Sequence, residues 1–162
     1  VATTDATARR ASGSSLIVQT VTPVLDTNAY TAKDALHTND LQFTGMARNA
    51  GGGGVIRSLL VLDQDDQAAA GVLWLFTAEL ANTTHTANGA LAIHDTDALT
   101  CIGHILFGTY YDGANNQSAL TLVELPYLCA AASTSLYGVA QTLGTPTHSA
   151  SGLRLVLTAD LR

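Results

Sequence analysis

The residues with the strongest chemical potential sit in a short acidic run. Asp63, Asp65 and Asp66 fall within DQDDQ, and alternating carboxylates on a turn are what a calcium loop supplies. Such a loop needs glycine at its sixth position and a bidentate glutamate at its twelfth; counted from Asp63 these positions hold Ala68 and Trp74. The expectation is therefore an acidic turn, or a rim that meets cations on a partner, with no metal. The run Gly51 to Gly54 invites comparison with a phosphate-binding loop, whose backbone N–H groups wrap an anion. That loop precedes a helix and carries Lys then Ser or Thr, whereas Val55 and Ile56 follow here and open a strand. His37, His85, His94, His104 and His148 lack the HxxxH or HExxH spacing that brings two imidazoles to one metal. The densest group, His94 with Asp95 and Asp97, reads as a turn whose carboxylates accept backbone hydrogen bonds. No GxSxG elbow is present, and Cys101 and Cys129 lie in apolar segments without a CxxC or nucleophile signature. The reading is a chain that is not an enzyme and needs no cofactor.

The elements that position these residues read as strands. Val55 to Leu62 and Gly71 to Phe76 are rich in β-branched and large apolar residues, and DQDDQ between them has turn chemistry, so the pair reads as a central β-hairpin. Leu16 to Leu25, Leu41 to Met46, Cys101 to Tyr110, Ser118 to Leu125 (ending at Pro126), Ser135 to Thr142 and Leu153 to Ala159 are further strands. Leu153, Leu155 and Leu157 should point inward while Arg154 and Thr158 point out. Trp74 is expected in the core, and His104 in the core or on a sheet face. Asp26 to Asp40 reads as a long functional loop, with room for one helical turn around Lys33 to Leu36, and HDTDALT as a turn or single helical coil. About eight strands without a long amphipathic helix predict an all-β, single-domain, jelly-roll-like β-sandwich over residues 16–162, preceded by a flexible amino-terminal arm, residues 1–15.

Composition narrows the partners. The chain has 162 residues, enough for one domain with its own core, and is 47% hydrophobic with only 12% charged residues. No apolar run reaches the roughly 18 residues of a spanning helix, so no membrane is expected. A net charge of −6, with Lys33 the only lysine, argues against nucleic acid, because phosphate affinity comes from clustered cations.

Four stretches, VTPVLDTNAYTAKDAL, GGGGVIRSLLVLDQDDQ, NGALAIHDTDALTCIGHI and LYGVAQTLGTPTHSASGLRLVLT, together resemble the small head decoration, or cement, proteins of tailed bacteriophages. The resemblance covers nearly all of the chain from Val21 onward. It implies a virion structural protein, made in the bacterial host cytoplasm, that binds the outer surface of an icosahedral capsid and bridges major capsid protein subunits. It also implies self-association, a dimer in preference to a trimer, and it carries over no catalytic residues. Candidate capsid or subunit contacts, chosen from polarity and loop length, are Arg9 and Arg10 in the arm, Tyr30 and Lys33 in the long loop, and Asp63, Asp65 and Asp66 in the acidic turn. Tyr110 and Tyr111, beside the DGANNQ loop, complete the set. The alternatives are another virion component, a head fibre or tail protein, and a carbohydrate-binding jelly-roll module, whose sugar site would want exposed aromatics.

Overall fold

The last strand shows how the layers arise. In β11 (Leu153–Leu161), Leu153, Leu155, Leu157, Ala159 and Leu161 are buried, while Arg154 is exposed and Val156, Thr158 and Asp160 lie partly open. Successive strand side chains point to opposite faces, so one row enters the core and the other is left outside it. The computed structural model describes residues 15–162, and among them the same patterning yields eleven strands and one short helix, α1 (Asp95–Ala98). The predicted arm, with Arg9 and Arg10, lies outside the described residues except for Ser15, which already pairs with Leu161.

One sheet places β1 (Ser15–Val21) beside β11, then β4 (Gly53–Asp63), β9 (Gln117–Leu128) and β8 (Tyr111–Asp112). The other runs β6 (Gly89–Ala90), β2 (Asp34–Ala35), β10 (Leu136–Thr142), β5 (Gly71–Phe76) and β7 (Cys101–Phe107), with β3 (Leu41–Phe43) also on β10. All pairings are antiparallel. With the two-residue strands β6 and β8 set aside and β2 counted with β3 as one position, eight positions remain. The first pairs with the eighth, the second with the seventh, the third with the sixth and the fourth with the fifth. That nesting is one long hairpin rolled on itself, the topology of a jelly roll.

Several local expectations change. Val55 to Leu62 and Gly71 to Phe76 are strands but not a hairpin: β4 and β5 belong to opposite sheets, and residues 64–70 carry the chain across. Local composition marks a strand, whereas its partner is chosen by contacts far away in sequence. β9 runs through Pro126, which pairs with Val55 where β9 has only β4 as neighbour, an edge that tolerates the missing N–H. β1 ends at Val21, before Pro23. The segment Asp26 to Asp40 is no open loop, since it contains β2, a Leu25–His37 bridge and the buried Tyr30, Leu36 and His37. The helical turn at Lys33 is absent; Lys33 takes φ 80°, and Asp34 Oδ2 accepts from the Thr31 N–H at 2.7 Å. Of the glycine run, Gly53 and Gly54 lie inside β4, where a Cβ would strike the carbonyl oxygens of Tyr127 and Asp160.

The main core lies between the sheets and includes Phe43, Ile56, Leu59, Leu73, Leu75, Ile105, Leu136, Leu155 and Leu157. A second cluster sits on the other side of the β5–β10 pair, where Phe76, Leu80 and Val139 pack with Trp74, Leu91, Ile93, Cys101 and Tyr137. Residues 77–100 form its cover. Trp74 is half-buried there, 5.0 Å from the exposed His104 ring, with Nε1–H donating to Gln141 Oε1 at 3.3 Å.

Candidate functional site

Four connections meet at one end of the sandwich: residues 22–33, 64–70, 108–116 (with β8) and 143–152. Backbone hydrogen bonds stitch three of them together, from Leu25 N–H to Ala150 O (2.9 Å), Tyr30 N–H to Pro146 O (2.8 Å), Gln64 N–H to Gly152 O (2.8 Å) and Leu143 N–H to Ala70 O (2.8 Å), and the 108–116 connection joins through the Tyr110 side chain. All the contact residues picked from sequence that are described, namely Tyr30, Lys33, Asp63, Asp65, Asp66, Tyr110 and Tyr111, gather at this end. Their environments divide them. Tyr30 is buried, its hydroxyl donating to Leu36 O at 2.9 Å and accepting from the Asp26 N–H at 2.7 Å. Tyr110 is half-buried and donates to Ala69 O at 3.0 Å; desolvation, reinforced by the Asp63 charge, raises its pKa. Tyr30 and Asp63 are thus closed to a partner and hold the end together. Lys33, Asp66 and Tyr111 are exposed, and Asp65 is half-buried.

The acidic run is wound around Asp63 rather than spread in solvent. Its carboxylate is fully buried: Oδ1 accepts from Asp65 N–H (3.0 Å), and Oδ2 from Gln67 and Ala68 N–H (2.8 Å each). Asp66 and Ala68 adopt positive φ (59° and 49°), which bends the chain far enough for those N–H groups to converge. Asp65 reaches instead to the loop before β11, accepting from Ser149 N–H at 2.7 Å and Ser149 Oγ–H at 2.9 Å. His148 lies beside both carboxylates, with Nδ1 3.4 Å from Asp65 Oδ2 and 4.0 Å from Asp63 Oδ1. Sequence reading missed this trio, since more than eighty positions separate His148 from the aspartates and no motif joins them.

It also missed a surface. On the outer face of the β1-β11-β4-β9 sheet, register aligns Thr20, Val156, Leu60 and Leu120 in one row and Val18, Thr158, Ser58 and Leu122 in the next. Leu120 and Leu122 are 59% and 76% exposed, Val18 54% and Leu16 66%. Leu106, at the end of the neighbouring β7, extends the patch across a groove toward Leu143. Arg57, at a register shift of β4 against β11, borders the patch through 2.6 Å contacts to Asp160 and Glu124. The signal was present in SLLVLD and SALTLVEL, which are apolar on both strand parities, although a two-layer sandwich can bury only one. Leu120 and Leu122 of β9 and Leu16 and Val18 of β1 thus stand exposed on one sheet face, with Thr20, Ser58 and Thr158 among them.

The His94, Asp95, Asp97 group is structural. Buried Asp97 accepts from Thr83 N–H and Oγ1–H (2.6 and 2.7 Å) and from Asn82 N–H and Nδ2–H (both 3.0 Å), which ties the cover to α1. Burial opposes its charge, but the hydrogen bonds from Thr83 and Asn82 outweigh it and lower its pKa. Among the described residues no Ser, Thr or Cys side chain hydrogen-bonds a histidine ring, and Cys101 and Cys129 are free thiols. A cleft of about 760 Å³ beside Gly52, Ile102, Pro126 and Leu128 has Arg162 as its one charged lining residue among the described residues. No helix among the described residues is long and apolar enough to cross a membrane. The chain matches no protein-family model and no curated protein.

Proposed function

We propose that the chain is a structural virion protein that binds the outside of an icosahedral bacteriophage capsid and stabilises it by bridging major capsid subunits. The observation that carries this reading is the bare apolar face of the β1-β11-β4-β9 sheet, which is chemistry for docking. The sequence resemblance supplies the kind of assembly, since a jelly roll by itself serves many functions. In this reading a second copy covers the leucine face and forms a dimer, while the loop end presents Lys33, Asp66 and Tyr111 to the capsid. A protein that binds only the assembled lattice adds its binding free energy to that state, copy by copy, and a dimer gains from engaging two sites at once. The carbohydrate-binding alternative has weaker support, because Trp74 is already engaged by His104 and Gln141.

Mass-spectrometric counting in purified virions tests the proposal. A copy number comparable with that of the major capsid subunit is expected. A handful of copies per particle would move the protein to a fibre or the tail, and absence from particles would overturn the reading.

A further inference from the structure

We propose that Asp63, Asp65 and His148 form a site for one divalent cation of borderline character, with Zn²⁺ as its representative. The three donor atoms lie within 4.8 Å of one another. The deciding observation is His148 itself. Its side chain is 2% exposed, and its Nδ1 is buried with no hydrogen-bond partner. A buried ring nitrogen without a partner is costly, and this one faces two carboxylates. At 3.4 Å from Asp65 Oδ2 and 4.0 Å from Asp63 Oδ1 it makes a hydrogen bond to neither. The 3.4 Å between His148 Nδ1 and Asp65 Oδ2 suits donors that share an ion, and Asp63 Oδ1, at 4.0 Å, would draw in on binding. Zn–N and Zn–O bonds of about 2.0–2.2 Å at tetrahedral angles put neighbouring donors about 3.4 Å apart.

The surroundings hold the donors in place. Asp63 Oδ2 is committed to two backbone N–H groups, which leaves Oδ1, with one N–H, to face the histidine. Asp65 is oriented by Ser149, and the Tyr30 ring packs edge-on against His148 at 6.3 Å. These are the supporting contacts that fix ligand geometry in metal sites. Two carboxylates and a neutral imidazole balance a divalent charge. The mixed nitrogen and oxygen set suits zinc-like ions, whereas Ca²⁺ and Mg²⁺ prefer oxygen alone. The partly exposed Asp65 leaves an approach for water as a fourth ligand. Such an ion clamps the 64–70 crossing to the loop before β11, and so stiffens the loop end independently of what that end binds.

The test uses the full chain, tag-free and stripped by chelator, with Zn²⁺, Ca²⁺ and Mg²⁺ added in parallel. Native mass spectrometry should show one Zn²⁺ per chain, and saturating Zn²⁺ should raise the melting temperature by about 5 °C or more. H148Q and D65N should lose both effects, while D66N, altered at an exposed neighbour, keeps both. D65N retains an amide oxygen for Ser149, and its metal-free melting curve reports whether it folds. The proposal is overturned if the wild-type chain takes up no zinc, if H148Q and D65N bind it as the wild type does, or if Ca²⁺ gives an equal shift in wild type and H148Q.

Discussion

The two sheets treat their outer faces differently. The outer side of the β5–β10 pair carries Phe76, Val139, Trp74 and Tyr137, and the chain spends residues 77–100 covering it, with Leu80, Leu91 and Ile93 packed down and Asp97 pinning the cover at Asn82 and Thr83. The outer side of β1-β11-β4-β9 carries Leu60, Leu62, Leu120, Leu122 and Val18, and no segment among the described residues crosses it. Both faces are apolar, so the hydrophobic driving force for cover is alike in kind. One is satisfied within the chain and belongs to stability; the other, in the function proposed above, is left for a partner. Substitutions should therefore separate cleanly between folding and association.

The largest effect is expected beneath the cover. Phe76→Ala removes a side chain with no exposure and should cost about 3–5 kcal/mol of unfolding free energy, measured by denaturant titration. A loss below about 1 kcal/mol would mean that the cover is not folded onto the sheet in solution.

Acid should loosen the same region next. His37 lies under His85 of the cover, ring centroids 5.6 Å apart, and its Nε2 accepts from the Ala140 N–H at 2.9 Å, so Nδ1 carries the proton shared with Asn39 O. Burial, the dominant influence, lowers its pKa from 6.5 to about 4, against the opposing bond to Asn39. The unfolded imidazole therefore binds a proton at higher pH than the folded one. The contribution of neutral His37 is complete above about pH 6.5 and is lost as pH falls toward 4, on the order of 3 kcal/mol in all. Melting curves across that window should show the loss, and His37→Gln should flatten it.

On the bare face the expectation inverts. Leu122→Asp should change monomer stability by no more than about 0.5 kcal/mol, because Leu122 is already in water. The same substitution should abolish self-association in sedimentation; a variant that still dimerises would move the contact elsewhere. Arg57→Ala should have the smallest effect on melting, since Arg57 is partly open, Glu124 is open, and only Asp160 is largely shielded, so salt should weaken most of what remains.

Strand identity was legible wherever one row was apolar and the other polar, as in LRLVLTA, because burial on one face imposes period two directly. The jelly-roll class was legible from the number and spacing of strands. SLLVLD and SALTLVEL carried a further message, apolar residues on both faces, of which the structure buries only part. The acidic run showed its charge but not its direction: Asp63 turns inward because three N–H groups converge on it, which depends on the positive φ angles of Asp66 and Ala68.

The chain's own residues thus determined most of the strands, the all-β class and the low charge, since these follow from local preference and composition. Tertiary structure decided that β4 and β5 part into opposite sheets, that one outer face is covered and the other bare, and that His148 meets Asp63 and Asp65. Each of those results comes from pairing strands distant in sequence, where the free energy lies in contacts that no local window contains.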